Sequence, residues 1–323
     1  MRMEKRLEGL SSRRELHITD ASLCGLPLRD ADAQSVQAYY LSLLELGVSY
    51  VQIPMDALQI LGTSVDPGRT VLSITSGCAE VPSGFAGYLS ADSGVPGWWI
   101  CECALGATPP EYADEIRWAA NDALFFGDYA DTFTQMAEAR FAFCPHGAGE
   151  LGTALAVEWL LAGGRQLTAG FMGTDGLAPL EEVLAALHVY GLLPELIRLD
   201  KLRSVSEAYQ RLSGCNIPAH KAVVGSALFD VESGVHVDGL TKDRQCYEPF
   251  APDSVGARRR IVIGKHSGKR ALLLKLAELG LSGEYDLYHL LELVREESMR
   301  MGGGLDDRTF TALAKRSRGG DAA

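Results

Sequence analysis

Long hydrophobic runs are absent from this sequence. No stretch approaches the roughly 18 consecutive apolar residues that a membrane-spanning helix needs, although 47% of the 323 residues are hydrophobic. The start, MRMEKRLEGLSSRREL, is charged and lacks the apolar core of a secretory leader. Basic residues are in deficit: 30 Lys and Arg stand against 42 Asp and Glu, a net charge of −12. A chain this acidic is a poor candidate for binding phosphate backbones. The one local basic run, Arg258-Arg259-Arg260, sits beside an apolar strand and reads as a solvated turn. Cysteines are few and unpaired in pattern. The seven, at positions 24, 78, 101, 103, 144, 215 and 246, are odd in number and scattered, as expected of reduced thiols in a cytosolic protein. The expectation is a cytoplasmic globular protein with neither a nucleic-acid nor a membrane partner.

What is present is an alternation. Short apolar runs bounded by Gly, Pro or polar residues recur: ELHITDA, YVQIP, TVLSITS, GWWICECA, DALFFGDY, RFAFCPH and QLTAGFMG, with FAGYLSA a weaker eighth. Between several of them lie amphipathic stretches. DAQSVQAYYLSLLELG places Val36, Tyr39, Tyr40, Leu43 and Leu44 on one helical face and stops at Gly47. ELGTALAVEWLLAGG and LAPLEEVLAALHVYG repeat that logic. Strand–helix alternation with near-continuous apolar strands predicts an α/β fold with a parallel sheet under helices, a (β/α)8 TIM-type barrel. The arc from Gly77 to Pro110 has strand-like runs and no amphipathic helix, so the barrel is expected to be compressed there. After about Gly191 the pattern changes. A polar stretch leads to the strand RRRIVIG, a basic turn KHSGKR and the helix ALLLKLAELG. Two tail helices follow, split by Met301 and three glycines, and the end, RGGDAA, is expected to fray.

One run combines groups with binding chemistry. Gly264, Lys265, His266, Ser267 and Gly268 put two glycines, a hydroxyl and two cationizable side chains before a helix. Two readings are open: an anion site at the helix N-terminus, or a strand-to-helix turn capped by Ser267.

The words SGVHVDG, YEPF and GKHSGKRAL, within Phe229–Gly280, closely resemble the C-terminal region of homocitrate synthases, especially the nitrogenase-associated type, and of their 2-isopropylmalate synthase relatives. LLELGVSYVQI and LAPLEEVLAAL extend the resemblance over nearly the whole chain. It implies a metal-dependent barrel over residues 1–195 and a small, mainly helical lid and linker region over 196–318. It further implies an acyltransferase that condenses acetyl-CoA with a 2-oxo acid, a dimer, and, from the nitrogenase-associated type, nitrogen fixation as a setting.

The family signatures that the resemblance implies depart from pattern here. A D-x-T-L-R-D-G-type word should supply a catalytic arginine and a metal-binding aspartate. Asp20 and Leu23 match it, but Cys24 stands at the arginine position and Gly25 at the aspartate position. An H-x-H-N-D-type word should supply two more ligands, and Cys144-Pro145-His146 keeps only the second histidine. In place of a G-E-R-A-G-N-type word stands Met172-Gly173-Thr174-Asp175-Gly176-Leu177. The alternative match, Leu28-Arg29-Asp30, lies too close to Gly47 and falls at a helix start.

Four expectations follow. His236, in SGVHVDG, occupies the position of the family's lid base. Lys265, His266 and Ser267 are the candidate anion ligands. The divalent metal that the resemblance implies is poorly matched, whereas Cys24, Cys144 and His146 form a softer donor set suited to Zn²⁺. Two functions remain open. One is a homocitrate-synthase-like enzyme with ordinary catalysis lost or impaired. The other is a non-catalytic partner, regulatory or small-molecule-binding subunit in a homodimer or a heterodimer with an active homologue.

Overall fold

The structure is a computed structural model and describes residues 16–74, 80–90, 99–104, 114–119, 132–134, 137, 141–147, 149–232, 239 and 248–318. The chain divides into two compact units, residues 1–224 and 225–323.

The first unit is a closed barrel of eight parallel strands in sequence order. They are β1 (His17–Asp20), β2 (Tyr50–Pro54), β3 (Thr70–Ser73), β4 (Gly87–Leu89), β5 (Trp99–Ala104), β6 (Glu115–Ala119), β7 (Phe141–Cys144) and β8 (Gln166–Ala169). Closure comes from β1 pairing with β8, Ile18 beside Leu167 and Asp20 beside Ala169. The strand β6 is a word, EIRWA, that apolar patterning passes over, because Glu115 and Arg117 interrupt it. The expected strand DALFFGDY lies outside the described residues.

The helices cover the barrel through the faces that the periodicity picks out. A short α1 (Ser22–Gly25) follows β1, and α2 (Ala33–Leu46) buries Val36, Tyr39, Tyr40, Leu43 and Leu46. Asp32 caps α2 by accepting from Ser35 N, and Gly47 ends it in the left-handed region at φ 93°. After α3 (Met55–Leu61), short 3₁₀ turns at Gly62–Ser64 and Pro67–Arg69 lead into β3. Among the described residues no helix lies between β3 and β6, which is the compressed arc.

The helix α4 (Gly152–Leu161) is apolar nearly all round. Its Trp159 is fully buried, donates Nε1–H to Gln166 O at 2.9 Å, and meets the rings of Phe133 and Phe143 at centroid distances of 5.6 Å. Beyond β8, α5 (Leu180–Val189) buries Leu180, Val183, Leu184 and Leu187. Then α6 (Leu202–Ser213) lays Leu202, Val205, Ala208 and Leu212 toward the core and packs against α2. The helix α6 lies within the first compact unit, which runs to Val224. A cavity of about 220 Å³ lies at the N-terminal ends of the barrel strands, lined by Thr19, Tyr50, Val71, Ile100 and Gln166 among others.

The second unit pairs β9 (Asp230–Val231) with β10 (Arg260–Ile261) in parallel. Three helices follow: α7 (Lys269–Glu278), α8 (Leu287–Met301) and α9 (Asp307–Arg316). They enclose a core of Ile263, Leu272, Leu276, Leu290, Val294 and Phe310. Asp286 and Asp306 cap α8 and α9, and Gly302 ends α8 in the left-handed region. The basic run is paired here: Arg259 with Glu248, and Arg260 with Asp230 at 2.7 Å.

Gly47 is a stringent position. Its φ is positive, and a Cβ there would lie 2.0 Å from Leu196 O, a backbone atom that cannot swing aside. Gly47→Ala is therefore expected to lower unfolding stability by about 2 kcal/mol or more, from left-handed strain plus the clash, read as a shift in the urea midpoint.

Candidate functional site

The candidate site lies where β1, β2, β3, β6 and β7 end or pass through the barrel interior, with the loop after β8 beside it. Asp20, the last residue of β1, is fully buried. Its Oδ1 accepts from Ser22 N at 3.0 Å and from Ser22 Oγ at 2.5 Å, and its Oδ2 accepts from Phe171 N at 2.9 Å. Ser22 Oγ is also 2.8 Å from Tyr39 OH. Burial pushes the Asp20 carboxyl up to about 6 against these hydrogen bonds, and nearby Glu181 adds to the rise.

Glu181, in the first turn of α5, is likewise buried, and burial raises its carboxyl above the usual range while the Lys221 ammonium opposes the rise. Glu181 Oε2 accepts from Met172 N at 2.9 Å, and Lys221 Nζ lies 3.1 Å from Glu181 Oε1 and also pairs with Glu182. Two buried carboxylates thus hold the backbone of the loop Phe171–Gly176. That loop carries two non-glycine residues in the left-handed region, Met172 at φ 59° and Asp175 at φ 58°.

This loop determines what stands beside Cys24 and Gly25. A Cβ on Gly25 would meet Asp175 Cβ at 2.6 Å and Thr174 Cγ2 at 3.0 Å. Cys24 is exposed. Its Sγ accepts from Gln52 Nε2 at 3.5 Å and lies 3.6 Å from Ser73 Oγ, and the crowding around it raises the thiol above its usual value.

Cys144 ends β7, is buried, and has its thiol pushed up to about 12, chiefly by that burial. His146 is half-buried and donates its backbone N–H to Cys144 O at 2.8 Å. The neighbouring Gly147 N–H is bound to Gly176 O at 3.0 Å, which ties the β7 loop to the β8 loop. Cys24, Cys144 and His146 are all described, yet no three His, Cys, Asp or Glu side chains among the described residues gather to hold a metal. Arg29 and Asp30 are exposed in the turn before α2, away from any such cluster.

The interior residue that sequence patterning passed over is Arg117 on β6, 2% exposed. Its Nη1 donates to Gln52 Oε1 at 2.6 Å, and Gln52 Nε2 donates on to Ser73 Oγ at 2.7 Å. An arginine two residues from a glutamate in a short run looks like a solvated segment. Only barrel closure turns the residue inward.

In the second unit, Lys265 and His266 carry exposed side chains and Ser267 is buried. The turn already holds an anion from its own chain. His266 N donates to Glu232 Oε1 at 3.1 Å, and a Cβ on Gly264 would lie 2.4 Å from that same oxygen. Ser267 Oγ accepts from Gly264 N at 3.0 Å and lies 3.3 Å from Glu232 O, to which it donates. The N-cap of α7 is Gly268, without a side-chain cap, so Ser267 closes the turn and does not cap the helix. His236 lies outside the described residues.

The raised carboxyl of Asp20 sets a pH dependence. Between the unfolded value of 3.8 and the folded value of about 6, the folded state holds a proton that the unfolded state has lost. Stability therefore falls as pH rises through this window and levels off above it. The expected contribution is about 3 kcal/mol. Asp20→Asn is expected to reduce the loss of stability between pH 4.5 and pH 7, measured by urea unfolding at the two pH values.

A family model described as Homocitrate synthase post-HMGL domain-like matches residues 223–296. The (R)-citramalate synthase CimA of Methanocaldococcus jannaschii is 40% identical over 145 residues, 45% of this chain and 29% of that protein. The homocitrate synthase omega subunit of Clostridium pasteurianum is 33% identical over 174 residues, 54% of this chain and 49% of that protein. The 2-isopropylmalate synthase of Shouchella clausii is 38% identical over 139 residues, 41% of this chain and 27% of that protein. The chain thus spans at most about half the length of these relatives. Over these stretches the chain is similar to the homocitrate, (R)-citramalate and 2-isopropylmalate synthases.

Proposed function

We propose that this chain is a homocitrate-synthase-like protein in which the ordinary condensation of acetyl-CoA with a 2-oxo acid is lost or strongly impaired. The observation that carries the reading is the contact between Gly25 and Asp175. At the position where the family resemblance calls for a metal-binding aspartate, even a Cβ would lie 2.6 Å from Asp175 Cβ. The loop after β8 fills that space and is held there by Asp20 and Glu181.

The divalent metal implied by the family does not fit the residues present. The second expected ligand position holds Cys144, a buried thiol in place of the imidazole that the resemblance calls for. Cys24, Cys144 and His146 do not converge as a softer site either. Cys24 also leaves the arginine position without a cation to support a developing oxyanion, a loss that ordinarily costs a few kcal/mol of barrier.

The form of this reading that the relatives favour is a partner or regulatory subunit, since one of them is itself named a subunit, the homocitrate synthase omega subunit. Association with an active homologue, or with a second copy of this chain, is then the role left to a barrel without the family's chemistry. A cytoplasmic location and a setting in nitrogen fixation are parts of the same proposal.

Thiol release from acetyl-CoA is the direct test, with 2-oxoglutarate, 2-oxoisovalerate or pyruvate and added Mg²⁺, Mn²⁺ or Zn²⁺. The expected result is no substrate-dependent rate above a control without 2-oxo acid. Cys24→Arg combined with Gly25→Asp is expected to remain inactive, because the added side chain meets the loop. Robust turnover by the unaltered protein would overturn the proposal.

A further inference from the structure

The loop Phe171–Gly176 is tied over the barrel mouth by two carboxylates. Asp20 Oδ2 accepts from Phe171 N at 2.9 Å, and Glu181 Oε2 accepts from Met172 N at 2.9 Å. At its far end Gly176 O accepts from Gly147 N at 3.0 Å. Thr174 Oγ1 donates to Phe171 O within the loop and lies 3.3 Å from Tyr209 OH.

The closed loop is held against two costs. Met172 and Asp175 stand in the left-handed region, a strain that an open loop sheds. Asp20 lies fully buried beneath it, and opening returns that carboxyl to water.

The two anchors differ in how their charge is balanced. Glu181 faces the Lys221 ammonium at 3.1 Å, which compensates it when ionised. The charge that acts on Asp20 is Glu181, of its own sign. Burial is the largest cause of the raised Asp20 carboxyl. A state that hydrates Asp20 therefore binds its proton less tightly, and by linkage the loss of that proton favours opening.

Other titratable groups face the loop and its anchor. They are Cys24 on α1, Tyr39 on α2, Tyr209 on α6, Glu182 and Lys221 beside Glu181, Asp175 in the loop, and His146 after β7. Burial raises both the Cys24 thiol and the Tyr39 hydroxyl, so each keeps its proton while Asp20 titrates. His146 Cδ2 lies 3.7 Å from the place of a Cβ on Gly176 and is the rival sensor.

We propose that the loop Phe171–Gly176 is a pH-sensitive plug of the barrel mouth, shut most firmly in acid while Asp20 holds a proton and opening more often as Asp20 ionises, with Glu181 and Lys221 as its fixed anchor. Each opening clears the space beside Gly25 where Thr174 and Asp175 otherwise stand. The plug is read on the backbone of the loop, whereas the proposed loss of catalysis is read by turnover, so the two fail separately.

The test is amide hydrogen exchange of the full chain at pH 4.5 and pH 7, corrected for the intrinsic pH dependence of exchange, with the loop and β2 followed in separate peptides. Protection of the loop is expected to fall about twentyfold between the two pH values, as the carboxyl titrates between 3.8 and about 6. The strand β2 is expected to stay better protected than the loop at both. Asp20→Asn, similar in size and neutral throughout, is expected to abolish the dependence and keep the loop protected at pH 7. Where that variant does not fold, His146→Gln replaces it and is expected to retain the dependence. Equal protection of the loop at both pH values overturns the plug. Exchange of the loop only together with β2 does so too, because the loop then opens only by global unfolding. A dependence that survives Asp20→Asn, or is lost in His146→Gln, overturns the assignment to Asp20.

Discussion

The carboxylate of Asp20 is the interaction on which the barrel mouth depends. A strand end and a loop separated by most of the unit meet at one buried side chain, with Oδ2 on Phe171 N and Oδ1 on Ser22. The position is imposed by closure. Asp20 pairs with Ala169 at the end of β8, so the chain leaving β8 passes directly over it. The cost is a carboxyl deprived of water, visible in its rise to about 6. Three donated hydrogen bonds offset part of that cost, and the return is a loop held in a conformation that two non-glycine residues in the left-handed region would otherwise resist.

From that anchoring the rest of the site follows. The loop fills the space beside Gly25, binds the β7 loop through Gly147 and Gly176, and leaves Cys24 facing Gln52 and Ser73. Glu181 and Lys221 secure the loop from the other side. Among the described residues, the polar groups linked to Cys24 are Gln52 on β2, Ser73 on β3 and, through Gln52, Arg117 on β6. The chemical character of this mouth is that of a cation and neutral donors. Among the described residues it holds no cluster of three metal ligands.

Much of the fold was legible in the sequence because its signals are local. The face of α2 and its Gly47 stop follow from nearby residues, as does the break at Gly302 between α8 and α9. The place of α6 was less legible, because an amphipathic helix does not name its partner, and its packing against α2 appears only in the structure. The strand β6 was missed for a related reason: the charged residues in EIRWA break the apolar pattern, and the barrel interior was the unexpected place for Arg117. At the turn Lys265–Ser267 the sequence left an anion site and a plain turn open, and the structure places Glu232, more than thirty residues earlier in the chain, on the His266 N–H.

By itself, the sequence determined the alternation of strands and helices and the words of the C-terminal unit, and it raised the expectation that Cys24 and Gly25 stand where the resemblance calls for an arginine and an aspartate. These depend on residue identity and short spacing. Tertiary structure alone decided which groups meet. It set Asp175 against Gly25, kept Cys24, Cys144 and His146 from forming a ligand cluster, and turned Arg117 inward onto Gln52. Barrel closure is the reason, since it brings strand ends far apart in sequence to one rim and fixes by register which side chains face inward.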